Sequence, residues 1–257
     1  MCSSDLAVMK NPLTDPGIIG ISSAAALVGT LVTVLFPALF FSVPILSILG
    51  GLVAYLLIYS LAWDGGVQPT KLILVGVALN LTFTGIAQAI SAAGGGTFTG
   101  VQSIVSGNIA QKTWGDARML AIYAGVALLA ALCLCNVCNL LNLDDKTARG
   151  LGVSVDRNRF ITAFVAIILA SIATSVVGIV GFLGLLVPHI ARHIVGSDHK
   201  VLLPFSILLG SLVMLLSDTV GRAIFYPYEI PAAVIMAVCG GPFFIALFKA
   251  KGGQSGY

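Results

Sequence analysis

Leu143-Asp-Asp-Lys-Thr-Ala-Arg-Gly-Leu-Gly-Val153 is a charged island between long apolar runs. One apolar run further on stands Gly181-Phe-Leu-Gly-Leu-Leu-Val-Pro-His-Ile-Ala-Arg192. A short, helix-compatible ionic segment between two spans is the natural place for something soluble to dock. Its presence points to a driven transporter subunit rather than a passive pore.

The rest of the chain sets the surroundings of that island. Of its 257 residues 58% are hydrophobic and 9% charged, against about a quarter charged in a soluble domain. Mean hydropathy is +1.05, too apolar for a water-soluble fold to hide. The runs are continuous rather than alternating, so the spans are helices. At about 20 residues per span the length accommodates about eight: Gly17–Phe36, Phe41–Trp63, Lys71–Ala93, Arg118–Leu141, Phe160–Val180, Gly181–Val195, Val201–Arg222 and Pro231–Ala250. The sixth is short, and Val101–Ile109 is too short to cross.

Basic residues orient the spans. With the start of the chain inside, Lys10, Lys71, Lys146, Arg149, Arg157, Arg159, Arg192, Lys200, Lys249 and Lys251 fall on inner segments. Only Lys112, Arg118 and Arg222 fall outside. Positive charge collects on cytoplasmic loops, so the island at 143–153 faces the cytoplasm.

Several groups could carry chemistry. No phosphate-cradling Gly-x-x-x-x-Gly-Lys-Ser/Thr run exists, so any ATP hydrolysis belongs to another chain. Ser22-Ser23 lacks the flanking glycines and the nearby His of an intramembrane protease. His189 and His193 share a helix face at a metal-compatible spacing, but without an intervening Glu or an evident third ligand they read first as interfacial histidines. Cys135 and Cys138 share a face while Cys133 points elsewhere, which reads as core packing; no metal site is expected. Five cysteines (Cys2, Cys133, Cys135, Cys138, Cys239) show no disulfide-framework spacing.

Asn80, Thr84, Gln88 and Ser91 form one polar stripe along the third span. Polar groups in hydrocarbon need a partner or water. The stripe is either the wall of a path for a polar cargo or hydrogen-bonding glue between helices. Asp218 and Arg222 stand at i, i+4 with the acid first, the favourable order. They are an internal ion pair, or Arg222, with Glu229 nearby, presents charge to an external partner; both can hold.

These residues together resemble a known family: the permease subunits of ATP-binding-cassette (ABC) importers for iron–siderophores, haem and cobalamin. The landmarks are Asn11-Pro-Leu-Thr-Asp-Pro-Gly17, Gly20-Ile-Ser-Ser23, Leu74-Val-Gly-Val-Ala-Leu79, Thr147-Ala-Arg-Gly-Leu-Gly152, the 181–192 stretch, Asp198-His199, Glu229-Ile-Pro231 and Gly241-Pro-Phe-Phe244. Each alone is weak; their order and spacing from Asn11 to about Ala250 are specific.

The resemblance implies an all-α polytopic membrane protein, with about eight transmembrane helices here of the family's ten, plus short coupling and periplasmic-side helices. It implies a homodimer, or a heterodimer with a close relative, with the pathway along the dimer axis. Two cytoplasmic ATP-binding subunits would hold ATP and Mg and grip a coupling loop at 143–159, through Asp144, Asp145, Thr147, Ala148, Arg149 and Gly152. An extracytoplasmic substrate-binding protein would dock on Arg222 and Glu229. Asn80, Thr84, Gln88 and Ser91 would line the path, and Pro69 and Thr70 would match the inner gate. No cofactor belongs to this chain and no nucleic acid is a partner; lipid is. The location implied is a bacterial or archaeal cytoplasmic membrane.

Two departures stand out. Relatives start about two helices earlier, and the other docking arginines lie in that portion. Met1-Cys-Ser-Ser-Asp-Leu6 reads as one frame of a common sequencing-adapter stretch, so residues 1–10 are taken as a non-native or loop segment. The permease domain is 11–250 and the cytoplasmic tail 251–257. Ile104-Val-Ser-Gly-Asn-Ile109 replaces a Trp-containing stretch common in relatives, which leaves the cargo open. The competing reading is an ion-coupled secondary transporter or channel acting alone. It needs a titratable mid-membrane centre, for which only Asp218 is available. A membrane-embedded enzyme is a distant third.

Overall fold

The computed structural model describes residues 20–62, 69–93, 104–143, 145–150, 152–224 and 226–252. Each of the eight apolar runs is helical over most of its described residues. The helices are α1 (Ile21–Leu35), α2 (Val43–Ala62), α3 (Pro69–Ala93), α4 (Trp114–Cys133), α5 (Cys135–Leu141), α6 (Asp145–Gly150), α7 (Val155–Val177), α8 (Leu183–Val195), α9 (His199–Ile224) and α10 (Ala232–Gly252). A 3₁₀ turn, Pro37–Ser42, joins α1 to α2. Among the described residues five helices (α2, α3, α4, α7, α9) are long and apolar enough to cross a membrane, and Ile21–Leu35, Leu183–Val195 and Ala232–Phe243 are shorter apolar segments.

Three of the differences from the apolar-run reading have a local reason. α4 begins at Trp114 rather than Arg118, because Thr113 and Asp116 close a capping box. Asp116 Oδ2 accepts the Thr113 backbone N–H at 2.8 Å, and Thr113 Oγ1 accepts that of Asp116 at 3.5 Å. The fourth span then breaks at Leu134 (φ −86°, ψ 1°), leaving α5 as a separate seven-residue helix. At the far side of the charged island α7 starts at Val155, so residues 155–159 form its first turn and not loop.

α7 is the axis of the bundle. Over its span window 61% of residues are buried, against 11% for α3 and 17% for α4 and α9, so α7 is the span most enclosed by the chain's own helices. It packs against α1, α2 and α4. Apolar burial gives little drive between helices in lipid, so close backbone approach must supply the packing. Small residues provide it. A Cβ on Gly50 would lie 2.6 Å from Val28 Cγ2, and one on Gly51 would overlap Ser171 Oγ.

The helix ends gather into two groups. At one end α5, α6 and the start of α7 share a small core of Leu141, Ala148 and Val155, with Val137 against it. At the other, a helical turn at 104–106 lies against the bend after α7. Ile179 donates its N–H to Ile104 O at 3.4 Å, and Ile104 is 4% exposed. Gly107 (φ 62°) and Gly178 (φ 88°) face each other there, with Cα of Gly107 2.9 Å from where a Gly178 Cβ would be. Residues 104–107 are thus packed into the bundle and do not lie loose at a surface.

Candidate functional site

Among its described residues, the charged island is anchored by one buried side chain. Ala148 is 1% exposed and anchors α6 on Leu141 and Val155. α6 closes in a Schellman turn: Val153 N–H donates to Ala148 O at 3.1 Å and Gly152 N–H to Arg149 O at 3.0 Å. Gly152, at φ 77°, is the left-handed residue that turn requires. Thr147, Arg149 and Gly150 are left on the open face. Arg149 Nη2 lies 3.3 Å from Asp156 Oδ2, both side chains largely exposed. Asp144, and the side chains of Asp145 and Lys146, lie outside the described residues.

On the opposite face of α5 is a polar cluster that sequence reasoning did not assign. Asn139 Oδ1 accepts the backbone N–H of His199 at 2.8 Å and lies 2.8 Å from His199 Nδ1. Asn139 Nδ2 donates to Asp198 Oδ1 at 2.7 Å, which also accepts the Lys200 N–H at 3.0 Å. These bonds fix the amide orientation and place the hydrogen on Nδ1 of His199. The 3.4 Å approach of Asn142 Nδ2 to the same Nδ1 then joins two donors and is a contact only. The Lys200 N–H and the Asn139 amide hold the Asp198 carboxyl below its ordinary range. His199 is fully buried. The available signal was Asn139 inside an apolar run and Asn142 just after it.

In the second half of α8, His189 and His193 bring their Nε2 atoms to 3.2 Å. Cys135 and Cys138 are buried and Cys133 is exposed. Among the described residues no group of three or more His, Cys, Asp or Glu side chains could hold a metal ion.

At the far end of α9, Arg222 Nε donates to Asp218 Oδ2 at 2.8 Å, and Arg222 Nη1 lies 3.6 Å from Glu229 Oε1. Ile230 N–H donates to Gly221 O at 3.1 Å and ties the following turn back to α9, which sets Glu229 beside Arg222. Asp218 is the more buried acid; Arg222 and Glu229 are about half open, at 42% and 46%.

Asn80, Thr84, Gln88 and Ser91 run along one side of α3 as the spacing requires. The stripe borders the packed face that holds Leu72, Gly76 and Ala87; Asn80, Thr84 and Ser91 are half-buried and Gln88 is exposed. α3 packs on α1 and α2, and outward-facing Leu74, Leu81 and Ile86 are exposed. Pro69 and Thr70 form its first turn, with side chains outside the described residues. The stripe does not line the apolar cavity of about 360 Å³ between α4, α7, α8 and α9, which Leu132, Ala173, Val187 and Ser206 help to form. Among the described residues no charged side chain lines that cavity.

Comparison with known proteins gives a consistent answer. Residues 7–250 match the FecCD transport family. Over 241 residues the chain is 39% identical to the protein named "Probable heme-iron transport system permease protein IsdF" of Staphylococcus aureus strain Newman, covering 94% of this chain and 73% of that one. The same values hold for its counterpart in strain USA300. A solved structure described as an inward-facing conformation of a metal-chelate type ABC transporter superposes with a TM-score of 0.80 at 28% identity, covering 96% of this chain and 81% of that one.

Proposed function

This chain belongs to the FecCD transport family, and from that premise we propose that it is the membrane subunit of an ATP-driven importer of an iron chelate. Ferric siderophore is the favoured cargo, with haem or cobalamin as the other chelates of this class. The observation that carries the reading is α6. It is a short helix fixed from beneath by Ala148, closed by Gly152 and open on its Thr147–Arg149 face. A segment so built transmits force applied from outside it. Two cytoplasmic ATPase subunits seat there, with ATP and Mg on their side. The inner placement is supported by ten of thirteen basic residues falling on that side, and the bacterial relatives favour a bacterial cytoplasmic membrane.

The path is formed where α3 meets a second permease copy, or a close relative, across the stripe. The low burial of α3 supports this reading: a helix left so open by its own chain has a surface for another. Pro69 and Thr70, at its inner start, belong to the gate. Replacing both Asn80 and Gln88 by Leu is expected to lower chelate uptake about tenfold with unchanged thermal stability. If the pair serves only as interhelical glue, the melting temperature falls instead and uptake per folded transporter is kept.

An extracytoplasmic binding protein docks at Arg222. The guanidinium carries five N–H donors; Nε is committed to Asp218 and Nη1 leans on Glu229. Nη2 remains for an acidic group on the partner. Arg222→Glu is expected to raise the docking Kd about tenfold or more, since like charges are brought together across an interface. An unchanged Kd would leave Arg222 with its internal pairing alone. Arg222→Gln separates the effects, because it avoids a cluster of three carboxylates.

Purified permease should bring down a soluble ATPase, and vesicles holding the whole assembly should take up labelled ferric siderophore, haem or cobalamin only with ATP. Uptake by this chain without nucleotide or companion chains would favour the lone ion-coupled carrier. The uncharged cavity and the already paired Asp218 count against that alternative.

A further inference from the structure

α5 has seven residues, too few to hold its own helical form in water or to act as a free lever. It is held from two sides. Val137 and Leu141 face α6 and α7 in the small apolar core. Asn139 faces α9 and spends its amide on Asp198 and His199. The neighbouring Asn142 approach, at 3.4 Å between two donors, adds a contact to these bonds and no further bond. α9 is one continuous helix of 26 residues with Pro204 in its second turn; Arg222 stands 23 residues beyond His199, about 35 Å at the usual rise, where it pairs with Asp218.

We propose that Asn139 and His199 are positioning residues that join α5 to α9, so that the ionic inner segment α6 and the charged far end of α9 move as one linkage. The inference rests on the importer reading above and names how its two docking sites communicate within one subunit. Displacement of α6 carries Leu141, because Ala148 and Leu141 share one core. Through Asn139 it carries His199 and the first turn of α9. The fully buried His199 leaves no water to substitute for these bonds. An apolar contact here would permit sliding; two bonds to one carboxamide oxygen and one from its nitrogen fix register. Neither residue needs to touch the ATPase or the binding protein.

The test uses the complete transporter in lipid nanodiscs, with ATPase activity read without and with the binding protein, and docking Kd read separately. Asn139→Leu is expected to keep docking Kd and unstimulated hydrolysis within about twofold of the unaltered protein. Stimulation by the binding protein is expected to fall about fivefold or more, the scale of a site-to-site coupling. His199→Leu should do the same. His199→Asn should restore stimulation, because the Asn Nδ2 donor occupies the place of imidazole Nδ1; a purely packing role predicts no such rescue. If Asn139→Leu fails to fold, the two His199 variants decide. Full stimulation in folded Asn139→Leu and His199→Leu overturns the linkage, as does His199→Asn behaving like His199→Leu. An unaltered transporter that brings down no ATPase, or is not stimulated at all, overturns the importer reading itself and the linkage with it.

Discussion

Arg149→Glu is expected to lower chelate uptake at least tenfold while the permease stays folded. Arg149 sits on the open face of α6, and among the described residues its partner is Asp156 at 3.3 Å, with the two side chains 62% and 82% exposed. An ion pair that open is screened by water and contributes about 0–1 kcal/mol to stability. Its loss cannot unfold the protein, and Ala148 and Gly152, which shape the helix, are untouched. What changes is the charge shown to a partner. Truncating one partner of a buried charge pair across an interface already costs about 2–5 kcal/mol and a reversal adds like-charge repulsion, while about 1.4 kcal/mol is tenfold. The measurement is ATP-dependent uptake alongside the melting temperature. Normal uptake in a folded variant would remove α6 as the ATPase seat. Asp156→Arg provides the control: if the internal pair were what mattered, adding it to the Arg149→Glu variant would restore uptake.

Gly178→Ala carries the largest expected effect on folding. Gly178 sits at φ 88° and ψ −170°, a region open to glycine and almost no other residue, at a cost of about 1–3 kcal/mol. A Cβ would also overlap Ile104 O and lie 2.9 Å from Gly107 Cα. Those neighbours are backbone, so no side-chain rotation relieves the crowding, and overpacking adds about 1–3 kcal/mol. A sum of about 3 kcal/mol corresponds to a fall in Tm of about 6–12 °C for a chain of this size. Gly181→Ala three residues later meets nothing within 4 Å and should be neutral. Equal melting temperatures for the two variants would show that residues 104–107 do not seat against the bend.

The positions of the spans were legible because uninterrupted apolar runs are a strong signal. Their ends were less so, since hydropathy marks where lipid stops and not where a helix does. α7 continues through Asp156, Arg157 and Arg159, polar residues that helix tolerates and hydrocarbon does not. α4 starts four residues early because Thr113 and Asp116 satisfy its first N–H groups. The break at Leu134 has no Pro or Gly to announce it. It goes with the contacts of α5, whose Asn139 is turned to α9 while Leu141 is turned to α6. Contacts of that kind depend on residues about 60 positions apart.

Among the candidate residues, those bound by local spacing could be placed from the sequence, as with Arg222 and Asp218 at 2.8 Å. Glu229 reaches Arg222 only because Ile230 is tied back to Gly221, a turn that no periodicity encodes. Asp198-His199 stood out as a pattern without a purpose. Its purpose depends on Asn139, which an apolar-run reading treats as an interruption.

The unbroken course of α9 limits how this protein can evolve. Each residue inserted or deleted between Leu202 and Ser217 would swing Arg222 by about 100° about the helix axis relative to His199. Point changes along its exposed side, such as at Leu208 or Leu212, leave that phase intact. Descendants of this chain should therefore vary freely in the letters of α9 while keeping its count constant.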